Sequence, residues 1–232
     1  MTTPVREPAD RRELLAVGLA TLGLDPTDER LDRLLRYVDE IELWNPRLKL
    51  VAASGRDLIV RHILDSVAPV PHLKKLLARL PGRIADMGSG AGLPGLPLAI
   101  VEPEFEVDLV ERSGRRVGFL RNARAVLRTS NVTIHHADVR DYSGPASLIV
   151  HRAFLPLSAE LLFLLFGELA PGGAVCAYKG RRAAVEEELA HVRDELRERS
   201  DSGADKSFAV RIEEVDVPFL EEQRHLVVIT PG

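Results

Sequence analysis

The sequence predicts an α/β fold, a doubly wound and mostly parallel seven-stranded sheet with a helical N-terminal extension. Of the 232 residues, 45% are hydrophobic and 28% charged, proportions typical of a globular protein with one full core. After Pro81-Gly82, short apolar runs alternate with longer helical patterns, and this alternation predicts parallel strands joined by right-handed helical crossovers. Before that point only helical periodicity is present. We therefore expect a helical cap over residues 1–80 and an α/β domain over residues 81–232.

Helices are expected throughout the first 80 residues. The apolar run over residues 14–24 predicts an amphipathic helix rather than an export signal, because acidic residues dilute its positive flank. Asp25 is expected to cap a second helix, with Pro26 in its first turn, that ends at Asn45-Pro46. A third helical pattern spans residues 57–67, and a short Leu-rich helix should follow it to about residue 80.

Seven strands are expected after residue 80. The first five are predicted to be parallel, over residues 84–87, 107–110, 132–134, 148–150 and 174–178. Helices are expected between them, near residues 94–102, 114–128, 156–169 and 182–199. Two closing strands, over residues 210–217 and 226–230, are expected to form an antiparallel hairpin at one edge of the sheet.

Charge and cysteine content restrict the function classes. With 31 Lys and Arg against 35 Asp and Glu the net charge is −4, so any nucleic-acid surface must be a local patch. Cys176 is the only cysteine, which excludes an internal disulfide and a multi-cysteine zinc site and indicates a reducing compartment. Adjacent strand residues face opposite ways, so His135-His136 is a poor metal-ligand pair and no metal is expected. No run of ~18 to 20 apolar residues suggests a membrane span, and we expect a cytoplasmic monomer.

A glycine-rich segment lies where the first predicted strand meets the first crossover helix. Glycines there let the backbone turn sharply and approach a ligand closely. Two patterns fit: Gly90-x-Gly92-x-x-Gly95 matches the dinucleotide fingerprint, and Asp86-x-Gly88-x-Gly90-x-Gly92 matches the acidic-glycine signature of S-adenosylmethionine (SAM) enzymes. A carboxylate at Asp86 would repel the pyrophosphate of NAD and suit the cationic methyl donor. The segment therefore favours SAM.

Two further carboxylates follow the next strands. Glu111 ends the second predicted strand, where a carboxylate can accept hydrogen bonds from both ribose hydroxyls of either nucleotide. Asp138 follows the third strand, where an acid is expected to contact the adenine amino group. Turn and cap roles are the alternative for these acids. Carboxylates at three successive strand ends make SAM the favoured cofactor over NAD.

The segment after the fourth predicted strand bears on the methyl acceptor. Enzymes that methylate exocyclic amines commonly have Asn/Asp-Pro-Pro-aromatic there, whereas this chain has His151-Arg152-Ala153-Phe154. A ring nitrogen with a free lone pair, such as guanine N7, needs no general base, and fixed geometry alone is worth about 7–11 kcal/mol. Arg152 is the candidate catalytic residue. Contacts with guanine O6, with RNA phosphate and with the cofactor carboxylate all remain open for it.

Six separated motifs lie between about Trp44 and Thr230. They are Arg61-His-Ile-Leu-Asp65-Ser66, residues 86–95, Gly114-Arg-Arg116-Val-x-Phe119-Leu120, Arg152-Ala-Phe154, Lys179-Gly180 and Glu222-x-Arg224-His225-Leu-Val-Val-Ile229. Together they resemble the motifs of the glucose-inhibited division protein B family, also called RsmG. The resemblance implies a Rossmann-like class I SAM-dependent methyltransferase that methylates N7 of a guanine in 16S ribosomal RNA of the small ribosomal subunit.

The resemblance also implies roles for single residues. Gly88 and Leu93 would line the methionine and ribose part of the cofactor, Glu111 the ribose and the Val139-Arg140 segment the adenine, and Arg152 would be the family's binding-site arginine. The chain departs from the family in three places. It has Lys49-Leu50-Val51 where Asn-Leu-Thr is usual, His151 where Ser is usual, and Arg140 where Glu is frequent.

Basic residues near the strand ends are the candidates for RNA binding. They could neutralise phosphates in spite of the negative total charge, although a solvated surface is the alternative for each. Trp44 is expected to be a core anchor. An NAD-dependent oxidoreductase and a catalytically silent RNA-binding module are the competing functions. The RNA candidates are Arg61, His62, Arg115, Arg116, Lys179 and Arg224, and Arg121, Arg181 and Arg182 share their placement.

Overall fold

Seven strands form one sheet in a computed structural model that describes residues 10–153, 155–199 and 207–232. The strands are β1 (Arg83–Met87), β2 (Glu106–Glu111), β3 (Val132–His136), β4 (Ala146–Arg152), β5 (Leu169–Lys179), β6 (Phe208–Glu214) and β7 (His225–Pro231). Their order is β3-β2-β1-β4-β5-β7-β6. The first five are parallel, and β7 is antiparallel to both β5 and β6. This confirms the predicted sheet and its closing hairpin.

Helices precede the sheet and connect its strands. Residues 55–67 form one helical stretch whose middle, Ile59–Leu64, is a π-helix. The predicted helix over residues 57–67 is thus confirmed, with an earlier start and a wider middle turn. The α-helices are α1 (Arg11–Thr21), α2 (Asp28–Leu48), α3 (Gly55–Leu58), α4 (Asp65–Val67), α5 (Val70–Leu77), α6 (Gly95–Val101), α7 (Gly114–Leu127), α8 (Ala159–Gly167) and α9 (Arg182–Arg199).

Both predicted ends of α2 are wrong. Thr27, not Asp25, caps the helix, because the Thr27 hydroxyl accepts a hydrogen bond from the backbone N–H of Arg30 at 3.3 Å. Pro46 lies inside the last turn, where it removes only one intrahelical donor, and the helix continues to Leu48. Lys49 ends it in a left-handed conformation with φ 50°.

Several other boundaries differ from those predicted, and β5, for example, begins at Leu169 and not at residue 174. The helix expected over residues 156–169 begins only at Ala159, since the Ser158 hydroxyl caps it by accepting from the N–H of Leu161 at 3.1 Å. It ends at Gly167 because Leu169 already belongs to β5. The strand expected over residues 210–217 is β6 and ends at Glu214.

Apolar side chains fill both faces of the sheet. Alternate residues of a strand face opposite sides, so Ile84 joins one cluster and Ala85 the other. The first cluster also contains Leu15 of α1, Tyr37 of α2 and Ile63 of the π-helical segment. The helices that precede residue 80 therefore share one hydrophobic core with a face of the sheet. No helix in the described ranges is long and apolar enough to cross a membrane.

Candidate functional site

The carboxyl ends of β1, β2 and β3 open onto a cavity of about 500 Å³, here called the strand-end cavity. This is where ligands bind in open parallel sheets, and the volume lies in the range of small-ligand sites. The loop after β4 and helix α8 form the opposite wall. The lining residues are Gly88, Val110, Glu111, Arg112, Arg116, Ala137, Asp138, Val139, Arg140, Ala153, Leu155, Ser158, Glu160, Leu161 and Leu164.

The glycine loop crosses the end of β2 and contributes Gly88 to the lining of this cavity. The backbone N–H of Gly88 donates to the Val110 carbonyl at 3.0 Å, and φ of Gly88 is 72°, a conformation that favours glycine. At Gly92, φ is 85° and a Cβ would lie 2.6 Å from the Leu96 side chain. The Tyr37 hydroxyl of α2 supports the loop from behind, because it donates to the Ala91 carbonyl at 2.5 Å.

Asp86 lies behind the loop and does not line the cavity. It is fully buried, and its Oδ2 accepts a hydrogen bond from the backbone N–H of Gly95 at 3.0 Å. Burial raises the pKa of this carboxyl to about 7, although the Gly95 N–H opposes the shift. The Asp86 carboxylate contacts the Gly95 amide at the start of α6 and does not face the cavity. This position corrects the expectation that it repels a pyrophosphate bound there. A direct contact between Asp86 and a cofactor stays a prediction.

Glu111 is the carboxylate that faces the cavity. Its Oε2 accepts from the backbone N–H of Gly90 at 2.9 Å, and its Oε1 accepts from that of Ser113 at 2.7 Å. The Arg116 guanidinium lies 4.0 Å from Oε2. Glu111 is 4% exposed, so the loop on one side and the start of α7 on the other hold the carboxylate in one orientation. This geometry suits the expected role at a ribose.

The segment after β3 forms one side of the cavity. Asp138 Oδ1 accepts from the backbone N–H of Arg140 at 3.1 Å, which makes a tight turn. The guanidinium groups of Arg112 and Arg140 lie 3.8 and 3.9 Å from the Asp138 carboxylate. The structure thus brings Asp138, Val139 and Arg140 to the cavity, at the place expected for an adenine site.

The structure separates the predicted cofactor residues into three groups. Five of them line the strand-end cavity: Gly88, Glu111, Asp138, Val139 and Arg140. Asp86, Gly90, Gly92 and Leu93 lie behind it and shape the loop, and Arg152 lines a neighbouring cavity. The sequence missed the opposite wall, because its residues lie on a loop and on α8, away from any strand-end signal: Leu155, Ser158, Glu160, Leu161 and Leu164.

A second cavity, of about 580 Å³, adjoins the first and shares Ala153 and Leu155 with it. Three cationic side chains line it, those of Arg152, Lys179 and Arg224. We call it the cationic cavity. Asp65 and Glu188 also line it, so three cations face two carboxylates and one positive charge is left over. Its position next to the strand-end cavity and this net positive charge fit an anionic substrate that reaches toward a bound cofactor.

Asp65 of α4 binds two of these cations at once. Arg152 Nη1 donates to Asp65 Oδ2 at 2.9 Å, and Arg224 Nε donates to Asp65 Oδ1 at 3.1 Å. Arg152 Nη2 lies 2.8 Å from Nδ1 of His62. Burial, followed by the charges of Arg152 and Arg61, lowers the pKa of His62 to about 4, so the imidazole is neutral near pH 7.

The remaining predicted RNA residues have separate places. Lys179 lines the cationic cavity in an ion pair with Glu188 at 2.8 Å. Arg61 lies beside this cavity, where its backbone carbonyl accepts from Arg152 and its guanidinium pairs with Glu222 at 2.6 Å. Arg116 lines the strand-end cavity. Arg115 is exposed on α7 and lines neither cavity.

The residues present fit SAM. The strand-end cavity offers open glycine backbone at Gly88 and, in Glu111, a carboxylate held in one orientation, as the predicted ribose contact requires. Its walls contain three carboxylates, those of Glu111, Asp138 and Glu160, and three guanidinium groups, those of Arg112, Arg116 and Arg140. The fit therefore rests on the glycine backbone and the fixed Glu111 carboxylate and not on an excess of negative charge. Among the described residues, no group of three or more His, Cys, Asp or Glu side chains is arranged to hold a metal ion.

Comparison with solved structures identifies the fold. The plantazolicin methyltransferase BpumL in complex with SAH superimposes with a TM-score of 0.52 at 13% identity, covering 95% of this chain and 96% of that one. A putative S-adenosyl-L-methionine-dependent methyltransferase from Methanococcus maripaludis gives 0.51 at 17% identity, covering 83% and 91%. The Rossmann-like class I methyltransferase fold is confirmed.

Sequence comparison identifies the family. A Ribosomal RNA small subunit methyltransferase G from Treponema pallidum (strain Nichols) is 39% identical over 236 residues, covering 99% of this chain and 96% of the relative. A protein of the same name from Ralstonia nicotianae is 35% identical and covers 97% of each. The family model of rRNA small subunit methyltransferase G, GidB, matches residues 30–227. The chain therefore belongs to the GidB family of rRNA small subunit methyltransferase G proteins.

Proposed function

We propose that this chain transfers a methyl group from SAM to N7 of a guanine in 16S ribosomal RNA of the small ribosomal subunit. The observation that carries the proposal is the adjacency of two cavities, one with a fixed ribose acceptor and one with three cations, in a member of this family. The reaction would take place in the cytoplasm, where small subunits are found, and we expect the chain to act as a monomer.

The strand-end cavity would hold the methyl donor. Gly88 offers backbone close to the ligand, Glu111 would accept from the ribose hydroxyls, and the turn over residues 138–140 would contact the adenine. Leu155 and Leu161 would cover the ligand from the other side and reduce its exposure to water. When bound, SAM supplies a methyl carbon that is activated by the positive sulfonium.

The cationic cavity would hold the target nucleotide. Arg152 is fixed by Asp65 and His62, so its guanidinium is already oriented before substrate binds. A guanidinium can donate to guanine O6 or to a phosphate oxygen, and Lys179 and Arg224 add positive charge for RNA. The target base must be unstacked to enter such a site. Because guanine N7 carries a free lone pair, these residues need only align the base and need not remove a proton.

Methyl transfer to defined substrates tests the proposal. Small subunits from cells that lack the enzyme are incubated with the protein and with SAM carrying a labelled methyl group, and the modified nucleotide is located by mass spectrometry. We expect one labelled 7-methylguanosine in 16S rRNA. Absence of incorporation at saturating SAM would favour a silent RNA-binding module, and a methyl on another atom would contradict the N7 assignment.

The cofactor is tested separately by thermal unfolding with added nucleotides. SAM and its demethylated product are expected to raise the melting temperature, because both carry the ribose and the adenine that Glu111 and the turn over residues 138–140 would contact. NAD is expected to have no such effect. Stabilisation by NAD alone would instead support the oxidoreductase alternative.

A further inference from the structure

Arginine is concentrated in one short stretch of the chain. Of the 31 Lys and Arg, six lie within residues 112–128, a stretch without any Asp or Glu, although acidic residues outnumber basic ones in the whole chain. The stretch contains the loop after β2 and all of α7. This stretch therefore carries a local excess of positive charge in a molecule whose net charge is negative. The six residues are Arg112, Arg115, Arg116, Arg121, Arg124 and Arg128.

The arginines differ in what they contact. Arg112 and Arg116 line the strand-end cavity, 3.8 Å from Asp138 and 4.0 Å from Glu111 respectively. The other four are exposed and form no ion pair within the part of the chain that the structure describes. Since α7 has 14 residues, this free charge extends roughly 20 Å from the cavity along the helix.

The free arginines share the outer surface of α7. Residues three or four positions apart lie on one helix face, which places Arg121 and Arg124 next to each other, and Arg128 follows one turn later as the left-handed residue that ends α7. The opposite face buries Leu120, Ala123 and Leu127 in the core. Packing of α7 is thus complete without the arginines, and the density of positive charge on the outer face has no structural role in the described fold.

Gly118 marks the same surface. It lies in the middle of α7, it is exposed, and an added Cβ would meet no atom within 4 Å. Glycine inside a helix is unfavourable relative to alanine, and no packing contact requires it here. Because Gly118 has no side chain, the helix surface between Arg115 and Arg121 is open, and a large ligand can approach the helix backbone there.

We propose that the outer face of α7, formed by Arg115, Gly118, Arg121, Arg124 and Arg128, is a docking surface for the phosphate backbone of the substrate RNA. It would bind nucleotides away from the target guanine, and this inference rests on the proposed function. Guanidinium groups bind phosphate through paired N–H donors, and phosphate contacts position a nucleic acid without reading its sequence. The surface begins at the cavity, so RNA held along it leads to the site of methyl transfer.

Replacement of Arg121, Arg124 and Arg128 by Gln tests the docking surface. The matched control replaces three exposed arginines by Gln with the same change in net charge. They are Arg79 after α5, Arg193 on α9 and Arg211 on β6. Binding to naked 16S rRNA is measured at several salt concentrations. Loss of three phosphate contacts should reduce the slope of log K against log salt by about 2 to 3. The KM for small subunits should rise at least tenfold, with kcat and the Kd for SAM unchanged.

Gly118 provides variants that keep every arginine. Glu favours helix over Gly, so Gly118→Glu should fold at least as well as the wild type while it places a negative charge in the surface. We expect weaker RNA binding in Gly118→Glu and nearly unchanged RNA binding in Gly118→Ala. Equal RNA affinity in these two variants would count against the docking surface.

The possible outcomes separate the two proposals. An unchanged salt slope and KM in the triple variant overturn the docking surface, even if the wild type methylates its substrate normally. Weaker binding to whole subunits, with binding to naked rRNA unchanged, also overturns it and indicates a protein partner. If the wild type transfers no methyl group, the proposed function fails, and the binding measurements still decide whether RNA docks on α7.

Discussion

Asp65 connects parts of the chain that are far apart in sequence. Its two carboxylate oxygens bind Arg152 at the end of β4 and Arg224 before β7, and all three side chains are mostly buried. A partly buried carboxylate that balances two cations is expensive to remove, because the cations then lack a counter-charge. Asp65 is therefore a positioning residue that keeps two guanidinium groups apart and oriented in the cationic cavity.

Asp65→Asn is expected to disturb RNA methylation more than cofactor binding. The amide keeps the size of the side chain but neutralises its charge, so Arg152 and Arg224 lose their shared partner. We expect kcat/KM for small subunits to fall at least tenfold, about 1.4 kcal/mol, while the Kd for SAM changes less than threefold. Steady-state kinetics and calorimetry measure the two quantities.

Asp57→Asn is the matched control for this variant. Asp57 is highly exposed and lies 3.9 Å from Arg61, so its replacement should leave kcat/KM nearly unchanged. If Asp65→Asn retained full activity, or lost SAM affinity to the same degree as RNA methylation, the positioning role would be wrong.

Individual site residues were predictable only where a motif points to a strand end. Glu111 and Asp138 follow strands, and both line the strand-end cavity. Asp86 follows the same rule, yet the N–H of Gly95 holds it away from the cavity, a detail that depends on the turn and not on spacing. Glu188 also lines the cationic cavity, but in sequence it is one acid among several on α9.

At the scale of elements, α9 fixes the loop between the two cavities. Glu188 Oε1 accepts from the backbone N–H of Leu157 at 2.5 Å and from Lys179 Nζ at 2.8 Å. Glu195 Oε2 accepts from the N–H of Ala159 at 2.8 Å, at the start of α8. Because this loop and α8 form one wall of the strand-end cavity, α9 supports that wall without lining the cavity.

Glu188→Ala is expected to loosen this wall. The variant loses two hydrogen bonds, one of them with a charged partner, and leaves the Leu157 N–H without its acceptor. A loss of about 1 to 1.5 kcal/mol in wall stability should raise the Kd for SAM roughly five- to tenfold, which calorimetric titration measures. Glu187→Ala, on the exposed side of α9, should bind SAM like the wild type. Equal affinities in the two variants would show that the loop does not depend on Glu188.

Elements were predicted well where periodicity determines them and poorly where single hydrogen bonds do. Alternating apolar runs predicted all seven strands, because buried parallel strands need continuous apolar residues. Helix ends depend on caps, and Thr27 competes with Asp25, two positions earlier, for the same role. The π-helical turn over Ile59–Leu64 has no signature in the apolar spacing.

At the scale of the whole molecule, buried ionisable groups link stability to pH. Burial, followed by the charge of Lys179, lowers the pKa of His151 to about 3, and the pKa of His62 is lowered to about 4. Between pH 4 and 6.5 the unfolded chain binds protons at these positions that the folded chain does not, so stability is lost as pH falls. The raised pKa of Asp86 acts in the opposite direction, since the folded chain keeps a proton there up to about pH 7.

Asp86→Asn should therefore steepen the pH dependence of stability. The wild type loses unfolding free energy on acidification from pH 6.5 to 4.5, and His151 alone contributes up to about 1.4 kcal/mol per pH unit. Without Asp86 the opposing effect is absent, and the loss per pH unit becomes larger. Urea unfolding at several pH values measures both slopes. An unchanged slope in the variant would show that the Asp86 carboxyl is ionised in the folded chain throughout this range.

The hydroxyl of Tyr37 connects the N-terminal helices to the glycine loop of the proposed cofactor site. It anchors the peptide at Ala91 between two glycines, so the segment that a methyl donor would rest on is braced by a residue more than fifty positions earlier. A shortened chain that begins at Pro81 would lack the Tyr37 hydrogen bond to this segment, and it would also lack Asp65, the ion-pair partner of Arg152. We therefore expect that removal of the N-terminal helices would disrupt the proposed site and would not yield a smaller active enzyme.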